Sequence, residues 1–322
     1  MKNSHRNPNS SVSGRAGFTL IEILVAITIL AILIGLVVSA VGPAQQTARL
    51  AEVKADMSRI GSAITAFKLQ FGVEPPSSIT LCEASADWTG NAERKRSRAE
   101  LRKIFPDFTF VDTDFNGDGD QSDVHTLSGA ECLVFFLGGM LNTSSGALDS
   151  FSTNPVAPFG AGGNRFDTFY DFGVSGYDNT KNAWTGRLVD VDNDGFPELL
   201  DTIPGQLKPY LYFSTYGGRS YRSIAADPAH PKLTVTPAWH NPDNYSSSAP
   251  TNGMPYPYYR VWDPSSTTSS DPYNKKTYQL ISAGFDYAYG VGGSFTPGDT
   301  TSLLTVEDRD NIVDFHPGTL GN

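Results

Sequence analysis

This sequence is short of the residues that most chemistry needs. Its 322 residues include five histidines, two cysteines, four methionines and four tryptophans. The histidines (His5, His125, His230, His240 and His316) lie scattered, with no two at metal-ligand spacing. No G-x-S-x-G elbow and no phosphate-cradling glycine loop occurs, so no enzyme is expected. Cys82 and Cys132 permit either one disulfide or two buried thiols, and the sequence leaves both open. Charge is sparse too. Charged residues make up 18%, acids outnumber bases by 34 to 24, and the formal net charge is −10. A surface of that sign repels a phosphate backbone, so no nucleic-acid partner is expected, whereas hard cations suit it.

What the chain has in quantity is glycine (31), proline (21) and tyrosine (14). These favour strands and long irregular connections over a helical bundle. It also has one long hydrophobic run. The polar, acid-free start MKNSHRNPNSSVSGRAG leads into 24 almost wholly apolar residues, Phe18 to Val41. A helix needs about 20 such residues to cross a bilayer. Basic residues precede the run and none follows closely, which predicts a single pass with a cytoplasmic N-terminus. A cleaved secretory signal would place its small-residue junction after the apolar core, but Ala16-Gly17 comes before it. One acid, Glu22, interrupts the run. At bilayer depth a carboxylate costs about 2.5–3.5 kcal/mol, so Glu22 needs a reason.

G-F-T-L-I-E, containing Gly17, Phe18 and Glu22, resembles the class III signal of type IV pilins and type II secretion pseudopilins. The resemblance implies cleavage after Gly17 by a prepilin peptidase and methylation of the new amine of Phe18. It implies that Glu22 pairs with the N-terminal amine of a neighbouring subunit, so that its buried charge is compensated. It also implies partners: other pilin-like subunits in a homo- or hetero-filament, the inner-membrane assembly platform, and membrane lipid. The expected location is the bacterial inner membrane, with the globular part periplasmic or on the cell surface.

After Gly42-Pro43, where a break or kink is expected, apolar residues recur every three or four positions. They are Leu50, Val53, Met57, Ile60, Ile64, Phe67 and Phe71, one stripe of a helix. Phe71-Gly72 and Pro75-Pro76 end it. The predicted organisation is a leader (1–17), a transmembrane helix (18–41), its amphipathic continuation (42–72) and a globular domain (73–322). The fold class is α+β, with the long helix on an antiparallel sheet.

Two acidic loops carry the most distinctive pattern. Asp112, Asp114, Asn116, Asp118, Asp120 and Asp123 fall at positions 1, 3, 5, 7, 9 and 12 of a loop with Gly117 at position 6. Asp190, Asp192, Asp194, Glu198 and Asp201 repeat positions 1, 3, 5, 9 and 12 around Gly195. This is EF-hand spacing, in which alternating oxygens converge on calcium while glycine makes the turn. The flanks are not those of a full EF-hand: FPDFTFV reads as strand or loop, and Ser128-Gly-Ala-Glu131 as a capping box opening a short apolar helix. The basic run Glu93 to Lys103 reads as a solvated helix face. The C-terminal YQLISAGFDYAYG and EDRDNIVDFHPG resemble the end of the major pseudopilin. That resemblance implies a third calcium site near Ser282, Gly284, Asp286, Asp308 and Asp310, so one to three Ca²⁺ ions are expected. A type II secretion pseudopilin supporting protein export is the function expected. The alternatives are a type IV pilus subunit for adhesion or motility and a membrane-anchored, calcium-dependent surface adhesin.

Overall fold

The structure is a computed structural model that describes residues 17–321, except 161, 174, 182, 216–256, 262–270, 291 and 299–303. Residues 1–16 of the expected leader (1–17) lie outside the described residues, as do His5, His230 and His240. The chain divides into two units, residues 1–48 and 49–322. Helix α1 is Leu20–Phe71. Its apolar half has a mean hydropathy of 3.0 over 18 residues and no buried side chain, so by length and composition it can cross a membrane. At Pro43, where a break or kink is expected, the helix is not broken. Proline removes one intrahelical hydrogen bond there, and the remaining bonds of a 52-residue helix carry it through.

From Arg49 onward the predicted stripe is the buried face. Val53, Met57, Ile60, Ile64 and Phe67 are buried, and Leu50 and Phe71 pack at its ends. Burial of each such side chain contributes about 1.5–3 kcal/mol. Gly72 ends the helix in the left-handed region (φ 79°), its N–H donating to the Lys68 carbonyl at 2.8 Å. One polar residue lies within the stripe. Asp56 is fully buried and accepts hydrogen bonds from Tyr170 (2.7 Å), Tyr210 (3.0 Å) and both terminal nitrogens of Arg187.

The rest is short elements. Strand β1 (Ile79–Cys82) leads to α2 (Ala92–Ile104), which Asn91 caps through the Arg94 N–H. Helix α2 holds the basic run, with Leu101 and Ile104 buried and Arg98 and Arg102 stacked over Phe110. Strand β2 (Val124–Leu127) returns antiparallel to β1, and α3 (Gly129–Gly138) follows with the expected Ser128–Glu131 capping box. Three antiparallel hairpins come next: β3 (Met140–Asn142) with β4 (Ala147–Asp149), β5 (Gly176–Asp178) with β6 (Ala183–Thr185), and β7 (Leu188–Val189) with β8 (Glu198–Leu199).

Strand β9 (Leu211–Ser214) belongs to a three-stranded antiparallel sheet with β12 (Tyr278–Ser282) and β14 (Ile312–Val313). Between them β10 (Tyr258–Val261) pairs with β11 (Asp271–Pro272) and with β13 (Gly293–Ser294). Strand alternation gives the β9–β12–β14 sheet two apolar faces. Leu280 and Tyr212 join the core under α1, while Ile281, Leu211 and Val313 join a second core. The fold is α+β, but with several small sheets in place of one. Phenylalanines of the irregular connections do the packing a larger sheet would do: Phe71 alone meets Phe105, Phe151, Phe166 and Phe169.

The disulfide alternative is corrected. Cys82 and Cys132 are both buried free thiols. The Cys132 sulfur lies 3.9 Å from the Leu127 carbonyl, and Leu127 pairs with Ile79. Cys82 is at the other end of the same strand, about 10 Å along it from Ile79, so the two thiols sit at opposite ends of β1.

Candidate functional site

Three places carry the chemistry that the sequence pointed to. At the N-terminus Gly17 and Phe18 are exposed, Phe18 at 83%. Thr19 caps helix α1: its N–H and hydroxyl both donate to the Glu22 carboxylate, at 2.7 and 2.8 Å, and the Glu22 N–H donates back to the Thr19 hydroxyl at 3.3 Å. This is a capping box, and T-x-x-E in Thr19–Glu22 was its signal in the sequence. Within this chain Glu22 therefore satisfies the helix start.

The second acidic loop is the hairpin turn between β7 and β8. Asp190 accepts the N–H groups of Asp194 (3.2 Å) and Gly195 (3.0 Å), and Asp194 accepts that of Phe196 (2.9 Å). Gly195 sits at φ 96°, and a Cβ there would lie 2.8 Å from the Cβ of Asn116, so the two acidic loops abut. Ligand oxygens of Asp192, Asp194 and Glu131 lie within 4.8 Å of one another. Glu131 and Glu198 are almost fully buried, at 3% and 1% exposure. Burial first, then the neighbouring carboxylates, pushes Glu131 and Glu198 well above the usual carboxylate range and Asp194 up to about 7. Such a cluster holds a divalent cation or holds protons.

The sequence did not single out Glu131 for this loop. Its capping box accounted for it, and only the packing of α3 on β8 brings it to the acids. Asp201 points elsewhere. It accepts hydrogen bonds from the Ser282 hydroxyl, the Ile203 N–H (2.8 Å) and Gln206 (3.2 Å).

The first loop sits two residues later than its spacing suggested. Asp114 accepts the N–H of Gly119, five residues on, at 2.9 Å, as Asp190 does that of Gly195. Asp118 accepts the N–H of Asp120 at 2.8 Å, as Asp194 does that of Phe196. Gly119, at φ 91°, thus occupies the turn position of Gly195. Asp112 lies outside this turn and accepts the Ser85 N–H at 2.7 Å. Asn116 accepts the Asp118 N–H, and Asp120 accepts the N–H groups of Gln121 and Ser122. Asp123 is grouped with Glu83 and His125, two residues that the spacing did not indicate. An open groove of about 730 Å³ between the loops is lined by Asn116, Asp118, Tyr177, Trp184, Asp190 and Asp194.

At the C-terminal end the structure joins part of the expected set. Gly284 turns at φ 70° and Asp310 accepts the N–H groups of Phe285 (2.6 Å) and Asp286 (2.7 Å). Asp308 points away, accepting from Tyr258 (2.7 Å), Gly292 (2.8 Å) and Thr305. Ser282 is committed to Asp201.

Comparison with known proteins adds one match: residues 12–38 match the prokaryotic N-terminal methylation motif. No curated protein and no solved structure matches the chain. The motif points to a structural subunit and not to an enzyme. Residues 12–38 carry a prepilin-type methylation motif, and with the long apolar helix and small antiparallel sheets behind it the chain has the makeup of a type IV pilin-like protein.

Proposed function

We propose that the chain is a filament-forming subunit that supports protein export as a type II secretion pseudopilin. Prepilin peptidase cuts after Gly17 and methylates the Phe18 amine, and the retained helix packs among those of other pilin-like subunits. The observation that carries this reading is the methylation motif at 12–38, directly followed by the membrane-length half of α1. Before assembly the subunit is a single-pass inner-membrane protein with a cytoplasmic N-terminus. The carboxylate that Thr19 holds in the lone subunit becomes, in the filament, the partner of a neighbour's Phe18 ammonium. A charge buried among apolar helices is tolerable only when paired, so Glu22 sets the register between subunits. Support for the pseudopilus comes from the C-terminal turn, where Asp310 closes Gly284–Asp286.

In the same reading the second loop holds a calcium ion through Asp190, Asp192, Asp194, Glu198 and Glu131. All-oxygen ligands suit calcium, and the ion offsets the repulsion among buried carboxylates.

Mass spectrometry of the N-terminal peptide, in sheared surface filaments and in the cell envelope, tests the reading. A peptide beginning at methylated Phe18 and confined to the envelope is the expected result. The same peptide in sheared filaments assigns the chain to an external pilus. An intact leader in both fractions leaves an anchored, calcium-dependent adhesin and overturns the proposal.

A further inference from the structure

Glu83, Asp123 and His125 form a cluster separate from the acids of the second loop, and it is built by strand pairing. Leu81 pairs with His125 and Cys82 with Val124, and the Glu83 N–H continues the ladder to the Asp123 carbonyl at 3.0 Å. Residues two apart on a strand share a face, so Asp123 and His125 project together and Glu83 stands across from them. One ligand atom from each of the three lies within 4.8 Å of the others.

The cluster is preorganised. The Glu83 side chain is fully buried, and its two oxygens accept the N–H groups of Phe115 (2.8 Å) and Asp123 (3.3 Å). The His125 side chain is 10% exposed, and the Phe196 ring covers it at 5.0 Å between centroids. Its Nε2 is buried and makes no hydrogen bond, although it faces Glu83 Oε1 at 3.5 Å. A buried polar atom without a partner is destabilising, so something is expected to occupy the space in front of Nε2.

We propose that Glu83, Asp123 and His125 bind a divalent transition-metal ion of the zinc class, with water completing its coordination. One imidazole nitrogen and two carboxylate oxygens are a donor set for such an ion, whereas calcium takes oxygen alone. Two carboxylates and a neutral imidazole carry a charge of −2, which the ion cancels. In the register that begins at Asp114, His125 falls at the twelfth position, where a calcium loop is closed by a two-oxygen carboxylate. The imidazole there turns the closing end of the first loop toward a nitrogen-binding ion, while the second loop keeps oxygens only. The rival occupant is a proton, which would make His125 and Glu83 a plain ion pair.

Cobalt(II) titration of the full chain in detergent, freed of metal by a chelator and followed by visible absorption, separates the two. One cobalt ion per chain is expected, displaced by zinc and unaffected by millimolar calcium. His125→Gln is expected to weaken cobalt binding at least tenfold while calcium binding is unchanged. If His125→Gln fails to fold, Asp123→Asn, which preserves shape, is measured the same way and is expected to show the same loss. No cobalt binding, or binding equal in wild type and variants, overturns the site and leaves the ion pair. Failure of calcium binding at the second loop, or of Phe18 methylation, would not touch this result.

Discussion

At the scale of single residues, the decisive groups are acids whose surroundings define their role. Glu22 is bound to Thr19 in the lone chain, and in the proposed filament it exchanges that partner for an incoming ammonium. Glu22→Leu is expected to abolish filament assembly, scored by filament yield, while the protein still inserts and is cut. Thr19→Ala removes only the cap and is expected to leave assembly intact. Asp56 is the opposite case, since it is fully buried and Tyr170, Tyr210 and Arg187 hold it. Asp56→Ala strands Arg187 and two tyrosines in the core, and a loss of about 3–5 kcal/mol is expected in denaturant unfolding.

Asp314 gives a pH signature. Burial pushes it up to about 7, against the attraction of Lys54, which burial itself pulls down to about 8. The folded Asp314 keeps its proton to near neutrality, whereas the unfolded one releases it near 4. Between those values the native state binds more protons, so this group makes stability fall as pH rises, by at most about 1.4 kcal/mol per unit. Asp314→Asn keeps an acceptor for the Leu280 N–H and is expected to flatten that slope in melts taken from pH 4 to 8.

At the scale of elements, α3 is a short apolar helix whose first turn reaches the second acidic loop. The Ser128 cap orients Glu131, and β8 supplies Glu198 from the other side. Metal binding there would tie a helix to a hairpin that hydrogen bonds alone hold by two strand residues on each side. Glu131→Gln is expected to lower calcium affinity about tenfold or more in calorimetric titration, whereas Asp201→Asn, on a residue turned toward Ser282, is expected to leave it unchanged. A reversed result would return Asp201 to the site.

At the scale of the whole molecule, irregular connections are packed by phenylalanine and clipped by acids. Phe115 from the first loop and Phe196 from the second both reach Phe135, so each loop is anchored in the main core. A ligand that binds only the folded state adds about 2.7 kcal/mol at a hundred times its dissociation constant. Calcium chelation is therefore expected to lower the melting temperature of the globular part, and re-addition to restore it.

Much of this was legible in the chain itself, because it rests on order along one element. The methylation motif and the membrane-length run are continuous stretches of the chain, and the buried stripe from Val53 to Phe67 and the Ser128 cap follow from neighbours three or four residues apart. Helix periodicity acts at that range. The acidic loops were visible for the same reason, though twelve-residue spacing alone fitted the first of them two residues too early. Only the backbone bonds to Gly119 fix its start. What the tertiary structure decided is which distant residues meet. The pairing of β1 with β2 set Glu83 beside Asp123 and His125, and separated Cys82 from Cys132. The docking of α3 added Glu131 to the second loop, and the Gly284 turn took Asp310 but not Asp308. Contacts of that kind are chosen by the burial of shared apolar faces, which no local spacing encodes.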